Sequence, residues 1–237
     1  MGVLGEATSL DIYLGHRGRA EIEMFSKGKM SHSSAPWLGI NAVSKMLPVL
    51  SDIEKLTETM PDDKVLGAST QVITHISCQP GWGSTLPDIC KVIIDRRYIP
   101  TESSASALAQ IQEIIDQHMK ADPDTNITAG IRTMRHTSYT GIVKDEFMDK
   151  PAYYVPPENT YVVKTVEALK EIGQNPAFGK WNFGTDGAYT AHDLNIPTIG
   201  YSCCEEIYAH RPTDRVNIDF MIKCAAGSCA IAAAVAK

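Results

Sequence analysis

Histidine side chains are the groups in this sequence best suited to chemistry, because a neutral imidazole both binds metals and moves protons near neutral pH. His32 lies in the segment 28–36 (Gly-Lys-Met-Ser-His-Ser-Ser-Ala-Pro). This segment reads as a loop between a strand and a helix, and functional residues concentrate on such loops. By itself, the local sequence fits a catalytic histidine and an exposed loop histidine equally well.

His210 follows an apolar segment, 196–201, that predicts a strand. Ligands bind at the carboxyl ends of strands in open α/β sheets, so this position favours a functional site. Glu206 lies four residues earlier, and a helix would place both side chains on one face, where they could hold a metal. Such pairs also arise by chance, so the spacing alone does not assign a metal.

Two other loops place polar groups after predicted strands. The segment 182–187 (Asn-Phe-Gly-Thr-Asp-Gly) has glycines that let backbone N–H groups approach a ligand carboxylate, although a plain turn explains it equally well. Glu6 follows the apparent end of a strand, where an ordinary loop acid is the simpler interpretation. The vicinal Cys203 and Cys204 have no base nearby in sequence and are interpreted as small apolar side chains.

The elements that must position these residues fall into two patterns. Between Gly18 and about Arg135, strand and helix periodicities alternate in the order β-α-β-β-α-β, which is the ferredoxin-like unit of a four-stranded sheet covered by two helices. Strands are predicted around 20–24, 72–76, 90–94 and 127–131, and helices around 40–53 and 108–119.

The remaining residues, 1–17 and 136–237, predict one incomplete α/β layer around a partly parallel sheet, with the ferredoxin-like unit inserted between them. A tight turn is predicted at 15–18, with His16 undecided. Further elements are predicted as a helix from Glu158 to Gly173, short strands at 181–183 and 196–201, and a closing helix over 218–236. The fold class is therefore α/β.

Composition narrows the possible partners. The 237 residues are 43% apolar and 21% charged with a formal net charge of −6, and the basic residues are scattered, which argues against nucleic acid or an anionic membrane as the main partner. Six cysteines form neither a zinc cluster nor a disulfide framework, so we expect a cytoplasmic protein. The sequence shows no signal peptide and no run of 18 apolar residues, so no membrane span is expected.

Several short segments, in their order along the chain, resemble the dinuclear zinc amidohydrolase and exopeptidase family. That family includes glutamate carboxypeptidase, aminoacylase, acetylornithine deacetylase and succinyl-diaminopimelate desuccinylase. The matching segments are 5–9, 15–18, 28–36 with 39–42, 95–97, 184–187, 196–200 and 209–210. The resemblance runs from Glu6 to the C-terminus, and the branch it resembles most contains hydrolases linked to selenium metabolism.

The resemblance implies a role for each matching residue. Glu6 would bind one zinc ion and His210 the other, with cobalt or manganese as alternatives to zinc. His32 would be catalytic, reaching from one subunit into its neighbour's active site to stabilise the tetrahedral oxyanion. Gly184 and Thr185 would bind the substrate carboxylate.

Two local departures from the family pattern accompany these matches. The proline of the family's Gly-Glu-Pro turn is Ala7 here, and the segment 84–87 (Ser-Thr-Leu-Pro) lacks the asparagine that touches substrate in many members. The second departure puts that substrate contact in doubt.

The resemblance also implies that part of the active site lies outside this chain. The family's His-x-Asp ligand pair, bridging Asp and Glu-Glu pair all come before the position of Glu6. We therefore expect a C-terminal part of a hydrolase that cleaves the amide bond of N-acyl amino acids or small peptides. Alone it would bind zinc weakly or not at all and be inactive.

As partners, the resemblance implies a homodimer formed through the lid domain, 18–135, with no nucleic acid and no membrane. Two other interpretations compete with a hydrolase fragment. One is a non-catalytic dimerisation or interaction module built on the inserted unit. The other is an RNA-recognition fold, which shares the strand order but needs stacking aromatic residues and a basic surface. The acidic composition disfavours the second.

Overall fold

The computed structural model describes residues 1–236 and divides them into two compact units. The first unit comprises Met1–Arg17, Lys64–Leu66 and the chain from Pro151 onwards, and the second comprises Gly18–Asp63 and Gly67–Lys150. Both combine helices with sheets, as the α/β fold class predicts.

The strands of both units are short to medium in length. They are Gly2–Leu4 (β1), Ile12–His16 (β2), Gly18–Lys27 (β3), Thr70–Gln79 (β4), Ile89–Tyr98 (β5), Ile127–Ile131 (β6), Thr133–Thr137 (β7), Val143–Phe147 (β8), Asp149–Lys150 (β9), Tyr153–Tyr154 (β10), Phe178–Trp181 (β11) and Thr198–Gly200 (β12). The α-helices are Ala42–Leu56 (α1), Ser104–Ala121 (α2), Thr160–Glu171 (α3) and Ile218–Val235 (α4).

The second unit contains an antiparallel sheet in the order β4-β5-β3-β6, with α1 and α2 against one face. Alternate residues of the central strands, such as Ile22 and Ile94, share a buried apolar cluster with Met46 of α1 and Ile111 of α2. This is the predicted β-α-β-β-α-β arrangement. Period-two alternation on the strands and an apolar stripe on each helix produce it, because both bury one face only.

The predicted boundary between the ferredoxin-like unit and the α/β layer lies between residues 135 and 136, whereas in the structure the second unit extends to Lys150. The hairpin β7–β8 and the short β9, none of them predicted, belong to the second unit. β9 pairs with β3, placing Lys150 opposite Arg19. Residues 136–150 therefore lie with the ferredoxin-like unit.

The first unit contains a mixed sheet in the order β1-β12-β2-β10, with β11 also paired to β2. β1 runs parallel to β12, and β11 runs parallel to β2. The buried cluster of this unit includes Leu14 and Trp181 from the sheet, Leu169 of α3 and Ile231 of α4.

Two local predictions in the first unit are wrong. The segment 15–18, predicted as a tight turn, instead contains the end of β2 and the start of β3. Gly15 is closely packed, because a Cβ on it would lie 2.1 Å from the Tyr153 carbonyl oxygen. The strand predicted at 181–183 lies earlier, at Phe178–Trp181, because the chain leaves the sheet at Asn182.

α4 is long and apolar enough to cross a membrane by length and composition alone, with a mean hydropathy of 1.6 over 18 residues. The helix is not an unbroken apolar run, because it contains Asp219 and Lys223, and small residues such as alanine supply much of its hydropathy. Core helices also satisfy this criterion, so it assigns no membrane role. Only 11% of the α4 window is buried within the structure.

Candidate functional site

The loops that follow β1 and β12 are joined by hydrogen bonds. The backbone N–H groups of Ser9 and Leu10 donate to the carbonyls of Cys204 and Ser202, at 2.9 and 2.7 Å. Thr8 Oγ1 donates to the Ser202 carbonyl at 3.1 Å. Because β1 and β12 are adjacent and parallel, both loops leave the same edge of the sheet, which is where open α/β sheets bind ligands.

Glu6 and His210 lie one on each of these two loops, and both are exposed. Glu206 and His210 do not share a helical face, because the short helix Glu206–Tyr208 ends before His210. Glu206 accepts a hydrogen bond from Asn182 Nδ2 at 3.3 Å, which ties the 182–187 segment to the loop after β12. The spacing of four residues therefore does not create a metal-binding pair.

The turn at 184–187 is held from beneath by a buried histidine. The backbone N–H of Thr185 donates to His16 Nε2 at 3.0 Å, and His16 Nδ1 lies 2.9 Å from the carbonyl of Arg17. Because Nε2 accepts this hydrogen bond, the pattern places a ring proton on Nδ1, which donates to the Arg17 carbonyl. Since the Thr185 N–H is already used, this group holds the turn and is not free for a substrate.

Tyr153 and Gly187 complete the packing below this turn. The Tyr153 ring meets the His16 ring edge to face, with centroids 4.8 Å apart. A Cβ on Gly187 would lie 2.3 Å from the Tyr153 hydroxyl, so only glycine fits there without movement. Burial raises the pKa of Tyr153, which keeps the phenol neutral. The sequence alone leaves the role of His16 open, because no local signal links positions 16 and 185.

His32 lies in the second unit on an exposed loop. The backbone N–H of Ser34 donates to His32 Nδ1 at 3.2 Å, and Ser34 Oγ lies 2.7 Å from the same nitrogen. Since Nδ1 accepts from a backbone N–H, the proton of the neutral ring is on Nε2. A β-bridge between His32 and Thr85 holds the loop in place. The histidine thus has its Nε2–H left as a hydrogen-bond donor.

The Asp-Arg-Arg motif at 95–97 divides between the two faces of the second sheet. Arg96 is fully buried and pairs with Glu102 at 2.5 Å. Asp95 accepts from Arg19 and Arg97, both at 2.7 Å. Burial opposes ionisation of Asp95, but the hydrogen bonds from Arg97 and Arg19 outweigh it and hold its pKa below the usual value.

The described residues do not form a complete metal site. Within 1–236, no group of three or more His, Cys, Asp or Glu side chains could hold a metal ion. Zinc sites in proteins have four ligands, of which at least three come from side chains. Glu6 and His210 supply at most one ligand each, so this chain alone does not fit a zinc centre.

A protein-family model matches a segment that lies mostly in the second unit. Residues 14–123 match the family described as the peptidase dimerisation domain. This segment is similar to the dimerisation domains of M20 peptidases. "Uncharacterized protein YgeY" of Escherichia coli (strain K12) is 30% identical over 227 residues, covering 95% of this chain and 55% of that protein. A probable carboxypeptidase of Ajellomyces capsulatus is 40% identical over 67 residues, covering 28% of this chain and 15% of that protein.

Solved structures with the same fold cover nearly the whole chain. Aminopeptidase PepT from Bacillus cereus superposes with a TM-score of 0.73 at 19% identity, covering 99% of this chain and 56% of that chain. The M20 family metallo-carboxypeptidase Sso-CP2 from Sulfolobus solfataricus gives a TM-score of 0.63 at 15% identity, covering 97% and 62%. The chain therefore spans little more than half the length of these relatives. The proteins with which the chain shares sequence or fold include peptidases and probable carboxypeptidases.

Proposed function

We propose that this chain is part of a metal-dependent hydrolase that cleaves the amide bond of N-acyl amino acids or small peptides. The observation that carries the proposal is the connection of three candidate loops in the first unit. The Ser9–Cys204 hydrogen bond joins the loop of Glu6 to the loop of His210, and the Asn182–Glu206 bond joins the 184–187 turn to the latter. The sequence similarity to carboxypeptidases supports the same reaction class.

The candidate residues of this chain would have different roles in the reaction. Glu6 and His210 would each contribute one ligand to a metal in the larger protein. The turn containing Gly184 and Thr185, held in place by His16, would bind the substrate carboxylate. His32 would reach into the active site of the neighbouring subunit and donate its Nε2–H to the oxyanion that forms there when the amide carbonyl is attacked. The described residues alone do not complete a metal site.

We further propose that this chain needs additional protein to be active. Three observations support this: the relatives are almost twice as long, the described residues contain no metal cluster, and α4 is largely uncovered. The missing general base and ligands would come from that additional part. Zinc is the metal proposed, with cobalt or manganese as alternatives.

We also propose a homodimer formed through the second unit and a cytoplasmic location. The match of 14–123 to a peptidase dimerisation domain supports the homodimer. The six free cysteines without a disulfide framework support the cytoplasmic location.

The decisive experiment compares this chain with a version extended by the residues encoded upstream of Met1. We expect the extended protein to retain zinc through dialysis and to hydrolyse N-acetyl amino acids, whereas the chain alone does neither. Metal analysis measures the retained zinc, and product detection measures the hydrolysis. Two tightly held metal ions on the chain alone, or an extended protein with neither metal nor turnover, would contradict the proposal.

A further inference from the structure

Two cysteines of the second unit lie directly opposite each other on neighbouring strands. Cys78 of β4 is the register partner of Cys90 of β5 in an antiparallel pair. Opposed residues on antiparallel strands point their side chains to the same face of the sheet. The two thiols therefore lie on the same side of the sheet, although they are separated in sequence by the whole 79–89 connection.

The spacing of such a pair is compatible with a disulfide. Directly opposed residues of antiparallel strands have Cα atoms about 4.5 to 5.5 Å apart. Disulfides join residues whose Cα atoms are about 4.4 to 6.8 Å apart. The register thus brings Cys78 and Cys90 within bonding range without a change in strand pairing. Both are free thiols in the structure.

The two thiols differ in access. In a single copy of the chain Cys78 is exposed on the edge strand β4, so oxidants in solution reach it before they reach Cys90. Cys90 is buried in the apolar cluster beneath α1 and α2 and is reached only by a neighbouring group. Burial raises the pKa of the Cys90 thiol, and the nearby Cys78 adds to this effect, so Cys90 is a poor direct target for oxidants. Its position opposite Cys78 is what suits it to the resolving role.

We propose that Cys78 and Cys90 form a redox modification site that closes into a cross-strand disulfide under peroxide. In the first step Cys78 sulfur takes one oxygen from hydrogen peroxide, giving a sulfenic acid and one water. In the second step Cys90 sulfur attacks the Cys78 sulfur, the S–O bond breaks, and the hydroxyl leaves as water with the Cys90 proton. A thiol reductant reverses the reaction through a mixed disulfide.

The disulfide would close the base of the loop that holds His32. The backbone N–H of Leu86 donates to the Ser31 carbonyl at 2.8 Å, and the N–H of Ser33 donates to the Ser84 carbonyl at 2.9 Å. Ser84, the acceptor, and Leu86, the donor, both lie between Cys78 and Cys90 in the sequence. Oxidation would therefore restrain the segment against which the His32 loop is paired, and this consequence for catalysis rests on the proposed function of His32.

Mass spectrometry of the full chain tests the modification without any activity assay. Both cysteines lie on one tryptic peptide, 65–91, because no Lys or Arg occurs between Lys64 and Lys91. After titration with hydrogen peroxide we expect this peptide to lose two hydrogen atoms. Chymotryptic cleavage after the exposed Trp82 should leave two pieces that separate only on reduction.

Matched variants identify the bond. Cys78→Ser should abolish the mass loss, and Cys229→Ser, which changes an exposed cysteine of α4, should leave it unchanged. Cys78→Ser is preferred to a Cys90 change because Cys78 is exposed and its substitution leaves the core intact. Oxidation of Cys78 to sulfinic or sulfonic acid with Cys90 still free would overturn the proposal, and so would a link between two copies of the chain.

Hydrogen exchange tests the effect on the loop. In the disulfide form we expect the Leu86 and Ser33 amides to exchange several-fold more slowly than in the reduced form. Unchanged exchange with the bond demonstrably formed would overturn the coupling to His32. Because neither readout requires turnover, failure here is distinguishable from failure of the hydrolase proposal.

Discussion

At the scale of single residues, the hydrogen bonding of His32 limits what it can do. Nδ1 accepts from the Ser34 N–H, so the neutral ring can donate only through Nε2. A donor suits the stabilisation of a developing oxyanion, whereas a metal ligand at Nδ1 would have to displace that bond. The hydrogen bonding of His32 therefore suits the proposed role of oxyanion donor better than that of a metal ligand through Nδ1.

This difference in role predicts different losses in the upstream-extended protein. His32→Ala should retain full metal content but lose about 10² to 10³ in kcat, the usual contribution of one oxyanion donor. Glu6→Ala and His210→Ala should lose both metal and activity, because ligands hold the ion. Metal analysis alongside steady-state kinetics checks both. His192→Ala, at an exposed position, serves as the control, and metal loss in His32→Ala would contradict the assigned role.

Asp95 predicts a pH dependence of stability. Its pKa is lowered in the folded state by Arg97 and Arg19 despite burial, so its contribution is fully present above the unfolded-state pKa of about 3.9 and is lost as pH falls through the folded value. Asp95→Asn should cost about 1 to 2 kcal/mol at pH 7. The difference from wild type should shrink at acidic pH, as the pH falls below the unfolded-state value. Urea unfolding at neutral and acidic pH measures it, and a difference that grows on acidification would refute it.

At the scale of elements, the 184–187 turn depends on a partner far along the chain. His16, at the end of β2, accepts the buried Thr185 N–H, and an apolar replacement would leave that donor unpaired. His16→Leu should therefore lower the free energy of unfolding by about 1 to 3 kcal/mol. Thermal or urea unfolding measures the change, with His192→Leu as the exposed control. Equal stability of the two variants would show that the bond does not hold the turn.

The elements that sequence analysis predicted correctly are those that bury one face. β3 and α1 show clear periods of two and of three to four, because alternate or stripe positions enter the same apolar cluster. The hairpin β7–β8 carried no such signal, since every residue of β8 is exposed and nothing alternates. Hydrophobic periodicity reports burial, so an exposed hairpin is not detected by it.

The candidate site was predictable only in part. Its loops could be located because they follow strands, and the resemblance assigned roles to residues such as Glu6 and His210. The support from His16 was not predictable, because it depends on a contact between β2 and a turn 169 positions later.

At the scale of the whole molecule, the second unit has an uncovered edge. β4 is an edge strand, and its Val72 and Ile76 side chains are more than half exposed. Exposed apolar edge strands pair readily with another chain. We expect sedimentation equilibrium at tens of micromolar to show a dimer that Ile76→Lys shifts towards monomer, while Val143→Lys on the exposed β8 does not. A monomeric wild type would contradict the homodimer.

The first unit carries its own uncovered surface on α4. Ile218, Met221 and Ile222 recur at helical spacing and are 72%, 47% and 65% exposed, so they form an apolar stripe that the described residues do not cover. We expect Ile222→Glu to reduce aggregation and binding of a hydrophobic dye in this chain. In the upstream-extended protein the same change should instead be destabilising, because the stripe would be buried there and a charge would lose its hydration. Leu194→Glu, at an exposed position outside α4, should have little effect in either protein. If Ile222→Glu is equally harmless in both, then α4 is not the surface that the additional protein covers.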